Sequence, residues 1–547
     1  MSSQNTKVKY ADSFKEQLTA RGLIIGSIGA IILTMSSMFV ALKLSSLPWP
    51  IMFVALVSMF ALKACGNTNI NEINVTHTAM SAGAMVAGGL AFTLPGIWML
   101  DKNADINLLT LIIITVGGVI LGLIFTALIR KYFVVTKKLS YPMGQAAAET
   151  LIIGDAGGKK AVTLFASMGL GAIFTVLRDG FGRIPATFMN SKMIEYGSYG
   201  GIWLSPMLIS VGYIIGPVFI GIWFFGAVVG DLGILIGGQY FGLWDADIAS
   251  SVKASLGIGL MVGTGIGIII NGILPKAKEI FGSMFKKGRV GDSIVTLRWA
   301  PFVIVLITFL FTVFVHMGVT ASVITILGVW LATAMSAQCV GQSGINPMEI
   351  FGIIVLIAVK AVSSIGQTEA FFIAAAVAVA CGLVGDVMND FKAGYILNTD
   401  PKAQWIAEFV GGVIGALVSV AVLLIIINAY GPEVFGTEVF PAAQASAVAA
   451  MVGGISHMPA FVIGLVLAVI LYCLNLPVMT LGLGVYLPFY LSATAFVGGM
   501  LRLLADRVFP GFERKGTGSI IASGLLGGEA VVGVILALIV AAQILIK

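Results

Sequence analysis

The 547-residue chain is 58% hydrophobic and only 10% charged, against about 25% charged in an ordinary soluble protein. A soluble fold this apolar could not cover its surface with polar groups, so lipid is the solvent that fits. The net charge of +6 sits in short tails and loops between apolar runs, as membrane orientation requires, and does not point to nucleic acid.

A helix needs roughly 20 apolar residues to cross the hydrocarbon core, and the runs here far exceed the alternating segments of a barrel. The sequence predicts an all-α polytopic membrane protein of about 16 transmembrane helices. Residues 1–21 form a polar N-terminal tail, and the run from Gly22 to Leu42 is too long for a cleaved signal. Spans are predicted near 22–43, 48–64, 76–100, 107–129, 161–177, 202–218, 219–238 and 253–274. A basic linker at 276–298, with Lys276, Lys278, Lys286, Lys287, Arg289 and Arg298, reads as cytoplasmic. Further spans follow near 299–317, 320–341, 348–363, 367–384, 403–429, 459–474, 477–500 and 517–543.

Two apolar segments, 141–154 and 440–454, are too short to cross. A 15-residue helix reaches only about 22 Å. Each begins with an aromatic residue and Pro, which suits a first helical turn, and both are predicted as re-entrant or broken helices. They also match each other: Tyr141-Pro142 with Phe440-Pro441, Gln145 with Gln444, Gly154 with Gly453. The same spacing carries Pro48 onto Pro347. This predicts two repeated halves, 22–275 and 299–547. Lys137, Lys138, Lys159 and Lys160 flank the first segment and Glu433 and Glu438 the second, so the halves are expected to be inverted, with the N-terminus cytoplasmic. Arg502, Arg507, Arg514 and Lys515 then fall on the outer side, against that rule.

Ionisable groups inside a membrane are costly and suggest function. Asn71, Asn74 and His77 lie in a predicted loop entering the third helix; amides there can bind a ligand or cap the helix. Glu149 stands four residues after Gln145, on one helix face, and Val448 replaces it in the second half. Asp386, Asn389, Asp390, Lys392 and Tyr395 follow an alanine-rich helix and suit a cation or a zwitterion, or else a solvated loop. Glu349, Glu369, Glu408 and Glu529 also lie in or near apolar runs, and the sequence does not rank them. Gln342 and Asn346 frame Pro347. The chain has no phosphate-binding G-x-x-x-x-G-K-[ST] loop and no zinc spacing, and its four cysteines are dispersed. No metal site, cofactor or enzyme activity is expected, and a proton gradient is the expected energy source.

Six stretches carry a family likeness: NEINVTHTAMSAGAMVAGGLAFTLPG (71–96), LSYPMGQAAAETLIIGD (139–155), SPMLISVGYIIGP (205–217), GDVMNDFKAGYILNTDPKAQW (385–405), FPAAQASAVAA (440–450) and LPFYLSATAFVGGMLR (487–502). In this order they resemble the oligopeptide transporter (OPT) family, which includes the yellow-stripe-like metal-chelate carriers. The resemblance implies a secondary carrier, usually proton-coupled, for small peptides, glutathione-like compounds or metal complexes of amino-acid-derived chelators. It directs attention to Asn71, Glu149, Asp386, Asp390, Lys392 and Tyr395. Two departures bear on substrate: Ala84 follows Ser81-Ala82-Gly83 where the family often has an acid, and the neighbours of Asn346-Pro347 differ.

These readings combine into a symporter of a small peptide or peptide-like metal chelate in the cell (inner) membrane. Expected substrate contacts are Asn71, Asn74, His77, Gln145, Gln342, Asn346, Lys392, Tyr395 and Gln444; expected proton carriers are Glu149, Asp386 and Asp390. The expected partners are the small-molecule substrate and the bilayer, with a homodimer as the assembly to test. A channel or uniporter for a small polar solute is the alternative.

Overall fold

The computed structural model describes residues 8–546 apart from 45–46, 48–50, 157, 268–269, 272–273, 277–298, 438, 453, 510–511 and 513–515. Most of the basic linker, Pro48, Glu438, Arg514 and Lys515 therefore lie outside the described residues.

The chain is helical from end to end, as its apolar runs require. The first half contains α1 (Ala20–Leu44), α2 (Ile51–Ala64), α3 (Ile70–Ala91), α4 (Leu108–Arg130), α5 (Pro142–Ala156), α6 (Gly158–Thr175), α7 (Pro206–Ile215), α8 (Pro217–Ala227) and α9 (Ala246–Gly267). Between the halves lies α10 (Ala300–Val313). The second half contains α11 (Val319–Ser343), α12 (Met348–Val362), α13 (Gln367–Leu397), α14 (Pro401–Tyr430), α15 (Ala443–Val452), α16 (Met458–Cys473), α17 (Val478–Tyr486), α18 (Phe489–Val508) and α19 (Thr517–Ile546). A short antiparallel hairpin, β1 (Thr187–Met189) and β2 (Gly201–Trp203), sits between α6 and α7.

The halves repeat one another. α1 and α11 are both 25 residues long, and the spacing between Ala20 and Val319 equals that between Leu44 and Ser343. A second common spacing relates Pro206 to Pro477, Pro217 to Pro488 and Ala246 to Thr517. Packing follows the same rule, with α6 against α19 and α16 against α9. The broken helices exchange halves as well: Tyr141 donates its amide to Gly341 O (3.3 Å) and Ala442 to Leu42 O (3.0 Å). The spacing that relates α1 to α11 places Leu42 and Gly341 at equivalent positions.

The repeat is inverted. α3 and α13 occupy corresponding places yet run antiparallel: Asn71 meets Leu397 O, Ser81 meets Asp390, and Gly89 abuts Val379. α6 and α19 run parallel, since Gly524 lies on Leu164 and Gly528 on Ala172. The start of α19 is therefore at the same end as Lys159 and Lys160. This corrects the expected topology: Arg502, Arg507 and the start of α19 share the basic end with the N-terminal tail. Contacts tie that end together, with Lys9 on Asn67 (2.8 Å), Arg21 on Asn67 O (2.5 Å) and Lys63 on Asp155 (2.9 Å).

Among the described residues, nine helices are long and apolar enough to cross a membrane, and five further apolar helices have 10–17 residues. Within the described residues several apolar runs are broken. α7 has 10 residues and reaches about 15 Å, half of a bilayer core. The run 477–500 is two helices, divided at Leu487-Pro488, where the proline has no amide hydrogen to donate. The two segments predicted as broken are short here too, at 15 residues for α5 and 10 for α15.

Candidate functional site

Three helices each aim an i,i+4 pair at one point: His77 and Ser81 on α3, Asp386 and Asp390 on α13, Gln404 and Glu408 on α14. That spacing stacks two side chains on one helix face. Small residues let the helices come this close. Gly411 and Gly415 of α14 lie on the backbone of Ala79 and Gly83 of α3, a small-residue contact of the kind that packs membrane helices.

At this point His77, Asp386, Asp390, Gln404 and Glu408 are all fully buried. His77 Nε2 is 3.2 Å from Asp390 Oδ1. The Ser81 hydroxyl donates to Asp390 Oδ2 (3.2 Å), and Gln404 Nε2 donates to Asp390 O (2.7 Å). One oxygen from each of Asp386, Asp390 and Glu408 falls within 4.8 Å of the others. Three carboxylates this close, away from water, cannot all carry unbalanced charge. The arrangement therefore has to hold protons or a cation. Asn389 connects this centre to the first broken helix: its Oδ1 accepts the Gly144 amide of α5 (3.0 Å), and its Nδ2 donates to Gly385 O (2.8 Å).

Two local expectations are corrected. Asn71–His77 is not a loop, because α3 begins at Ile70 with Asn69 as its cap, accepting from Glu72 N. The 385–395 segment is neither loop nor boundary: α13 runs unbroken to Leu397, so both aspartates lie inside a helix and within the core.

Of the sequence-predicted residues, His77, Asp386 and Asp390 come together. Asn71 and Asn74 instead tie the start of α3 to the end of α13: Asn71 donates to Leu397 O (2.9 Å), and both donate to Thr399 (3.1 Å). Lys392 donates to Leu139 O (2.9 Å), holding the entry to α5. Gln145 donates to Glu149 (3.1 Å), which also accepts from Ser523 of α19 (3.1 Å). Asn346 bridges Ser336 (2.9 Å) and Cys381 O (2.8 Å). Gln342 and Gln444 are half-buried, and Tyr395 is 42% exposed.

Sequence reasoning noted Glu408 without ranking it and passed over Gln404 and Ser81. The signal for Gln404 and Glu408 was a second i,i+4 polar pair, in the first turns of an apolar helix capped by Asp400 (accepting from Lys402 N, 2.8 Å).

A second buried charge cluster lies across the molecule. Glu529 of α19 takes Arg178 (2.8 Å), the Ser205 hydroxyl (2.9 and 3.0 Å) and the Met207 amide (2.6 Å) at the start of α7.

The comparisons with known proteins agree with this architecture. The family model described as OPT oligopeptide transporter protein matches residues 17–540. A Haemophilus influenzae protein described as "Putative oligopeptide transporter" is 26% identical over 592 aligned positions, covering 90% of each chain. The match spans both halves, with the buried α3–α13–α14 centre inside it. The chain belongs to the OPT oligopeptide transporter family and is a multi-pass membrane transporter.

Proposed function

We propose that the protein is a secondary active, proton-coupled symporter of small peptides or peptide-like metal chelates. The observation that carries this reading is asymmetry within a duplicated frame. At the spacing that relates α1 to α11, the counterparts of His77, Asp386, Asp390 and Glu408 are Ala376, Ala87, Ala91 and Leu109. A frame built twice needs its packing twice, but coupling chemistry only once. Buried ionisable groups in transporters mark ion pathways and proton relays, and here they meet where α3 of the first half packs on α13 and α14 of the second, the repeat interface at which such carriers place their sites.

In this reading Asp386, Asp390 and Glu408 share the coupling protons and His77 helps to hold them. Substrate lies between the halves, beside α5 and α15. The helix dipole of α5 favours a substrate carboxylate at its N-terminus, and Lys392 supplies a positive charge near its entry. The basic end, with the N-terminus, faces the cytoplasm by the positive-inside rule, in the cell (inner) membrane of a prokaryotic cell. No cofactor is required.

The test is uptake into proteoliposomes with an imposed inward proton gradient, offering a di- to pentapeptide pool with and without metal chelates. Accumulation that collapses with the gradient supports the symporter. Equilibration that ignores the gradient refutes coupling and leaves a channel or uniporter.

A further inference from the structure

We propose that His77, Asp386, Asp390 and Glu408 form a binding site for one divalent first-row transition-metal ion. The proposal rests on the same centre as the transport reading but does not need proton coupling to be right.

The geometry comes first. Donor oxygens about 2.1 Å from a tetrahedral ion stand about 3.4 Å apart. The three carboxylates present one oxygen each within 4.8 Å of one another and would draw together around an ion, while His77, 3.2 Å from Asp390, stands beside that group and would have to turn in to join it. An acidic cluster alone would not be enough. The second observation is the state of the groups around it. Both oxygens of Glu408 have no hydrogen-bond partner among the described residues, although this side chain is completely buried. Buried polar atoms are almost always satisfied, and an ion is one of the few things that explains such exceptions. His77 Nε2 points at Asp390, 3.2 Å away.

Donor chemistry selects the ion. Calcium and magnesium prefer oxygen-only shells, and an imidazole nitrogen beside carboxylates favours a borderline divalent ion such as Mn, Fe, Co, Ni or Zn. Charge agrees, since a divalent ion and one proton neutralise three carboxylates. Outer-shell support is in place as well, because Ser81 and Gln404 fix Asp390 through its side chain and backbone. The alanine and leucine counterparts in the other half set the expected stoichiometry at one ion per chain.

The experiment uses tag-free, full-length protein in detergent, stripped with a chelator and titrated with Co²⁺ and Zn²⁺ by equilibrium dialysis and absorption spectroscopy. One Co²⁺ per chain is expected, with ligand-field bands that change in His77→Ala. Glu408→Gln and Asp390→Asn should each weaken binding more than about 100-fold, beyond the 10–100-fold typical of outer-shell partners. Glu349→Gln, at another buried acid, should bind as the parent does, and monodisperse elution of every variant excludes misfolding. Binding that survives Glu408→Gln, or no Co²⁺ or Zn²⁺ bound at millimolar concentration, overturns the metal site. Proton-driven uptake measured in chelator-treated buffer would still stand or fall separately.

Discussion

Arg178→Met should be among the most damaging single changes in the chain. The Arg178 side chain is 2% exposed and that of Glu529 6%, so removing the cation strands a carboxylate in the core. Breaking a buried pair in this way costs about 3–5 kcal/mol. Glu529 keeps the Ser205 hydroxyl and the Met207 amide, which places the expected loss at the lower end, about 3 kcal/mol. The Arg178–Asp179 contact adds little, because Asp179 is 36% exposed and half-solvated pairs are worth about 0–1 kcal/mol. Arg178→Met with Glu529→Gln removes the stranded charge while keeping an acceptor for Met207, and should recover all but about 1–2 kcal/mol. Unfolding by titration with a denaturing detergent in mixed micelles measures both. The reasoning fails if Arg178→Met loses less than about 1 kcal/mol, or if the double variant is no more stable than the single one.

The other predictions concern the centre and its supports. Glu408→Gln should abolish gradient-driven accumulation while leaving substrate counterflow across the bilayer measurable, because only the coupling group is neutralised. Gly144→Leu drives a side chain into the Asn389 carbonyl and should cut uptake at least about tenfold by displacing α5, with helix content by circular dichroism unchanged. Gly415→Leu meets Gly83 across the α3–α14 contact and should cost about 1–3 kcal/mol of stability by overpacking, read in the same detergent titration. Lys63→Ala removes a pair that is 41% and 19% exposed, so its unfolding midpoint should shift by less than about 1 kcal/mol allows.

The frame was legible because lipid imposes strong composition rules. Apolar length located most helices, and the aromatic-Pro starts located both short ones. The spacing between Tyr141-Pro142 and Phe440-Pro441 disclosed the duplication before any contact was seen. Polar residues inside helices were harder to place. Asn71–His77 and Asp386–Tyr395 read as loops because their polarity outweighs helix propensity in a sequence window, whereas in the fold tertiary burial decides. Glu408 was hidden for a related reason. Its importance lies in α14 packing on α3 through Gly411 and Gly415, and nothing local to residue 408 encodes that meeting. Arg502 and Arg507 were placed at the wrong end by a count of apolar runs, which reads 477–500 as one span where the fold has two short helices parted at Leu487-Pro488.

Inverted repeats offer a physical route to alternation. If two halves share one fold, exchanging their conformations gives a second arrangement of similar energy, opening to the other face. Pure symmetry would leave nothing for an ion gradient to act on, since a ligand shifts an equilibrium only by its differential affinity for the two states. Here α3 and α13 are partners in the repeat and also neighbours in space, but only α13 carries the two aspartates, and α3 carries the histidine. Any rearrangement of one half against the other must alter the 3.2 Å approach of His77 to Asp390. It must also alter the hydrogen bond from Gly144 of the broken helix to Asn389, one residue away. An occupant of the centre, protons or a metal ion, would thus interact differently with the two arrangements, and the Gly144–Asn389 hydrogen bond would carry the difference to α5.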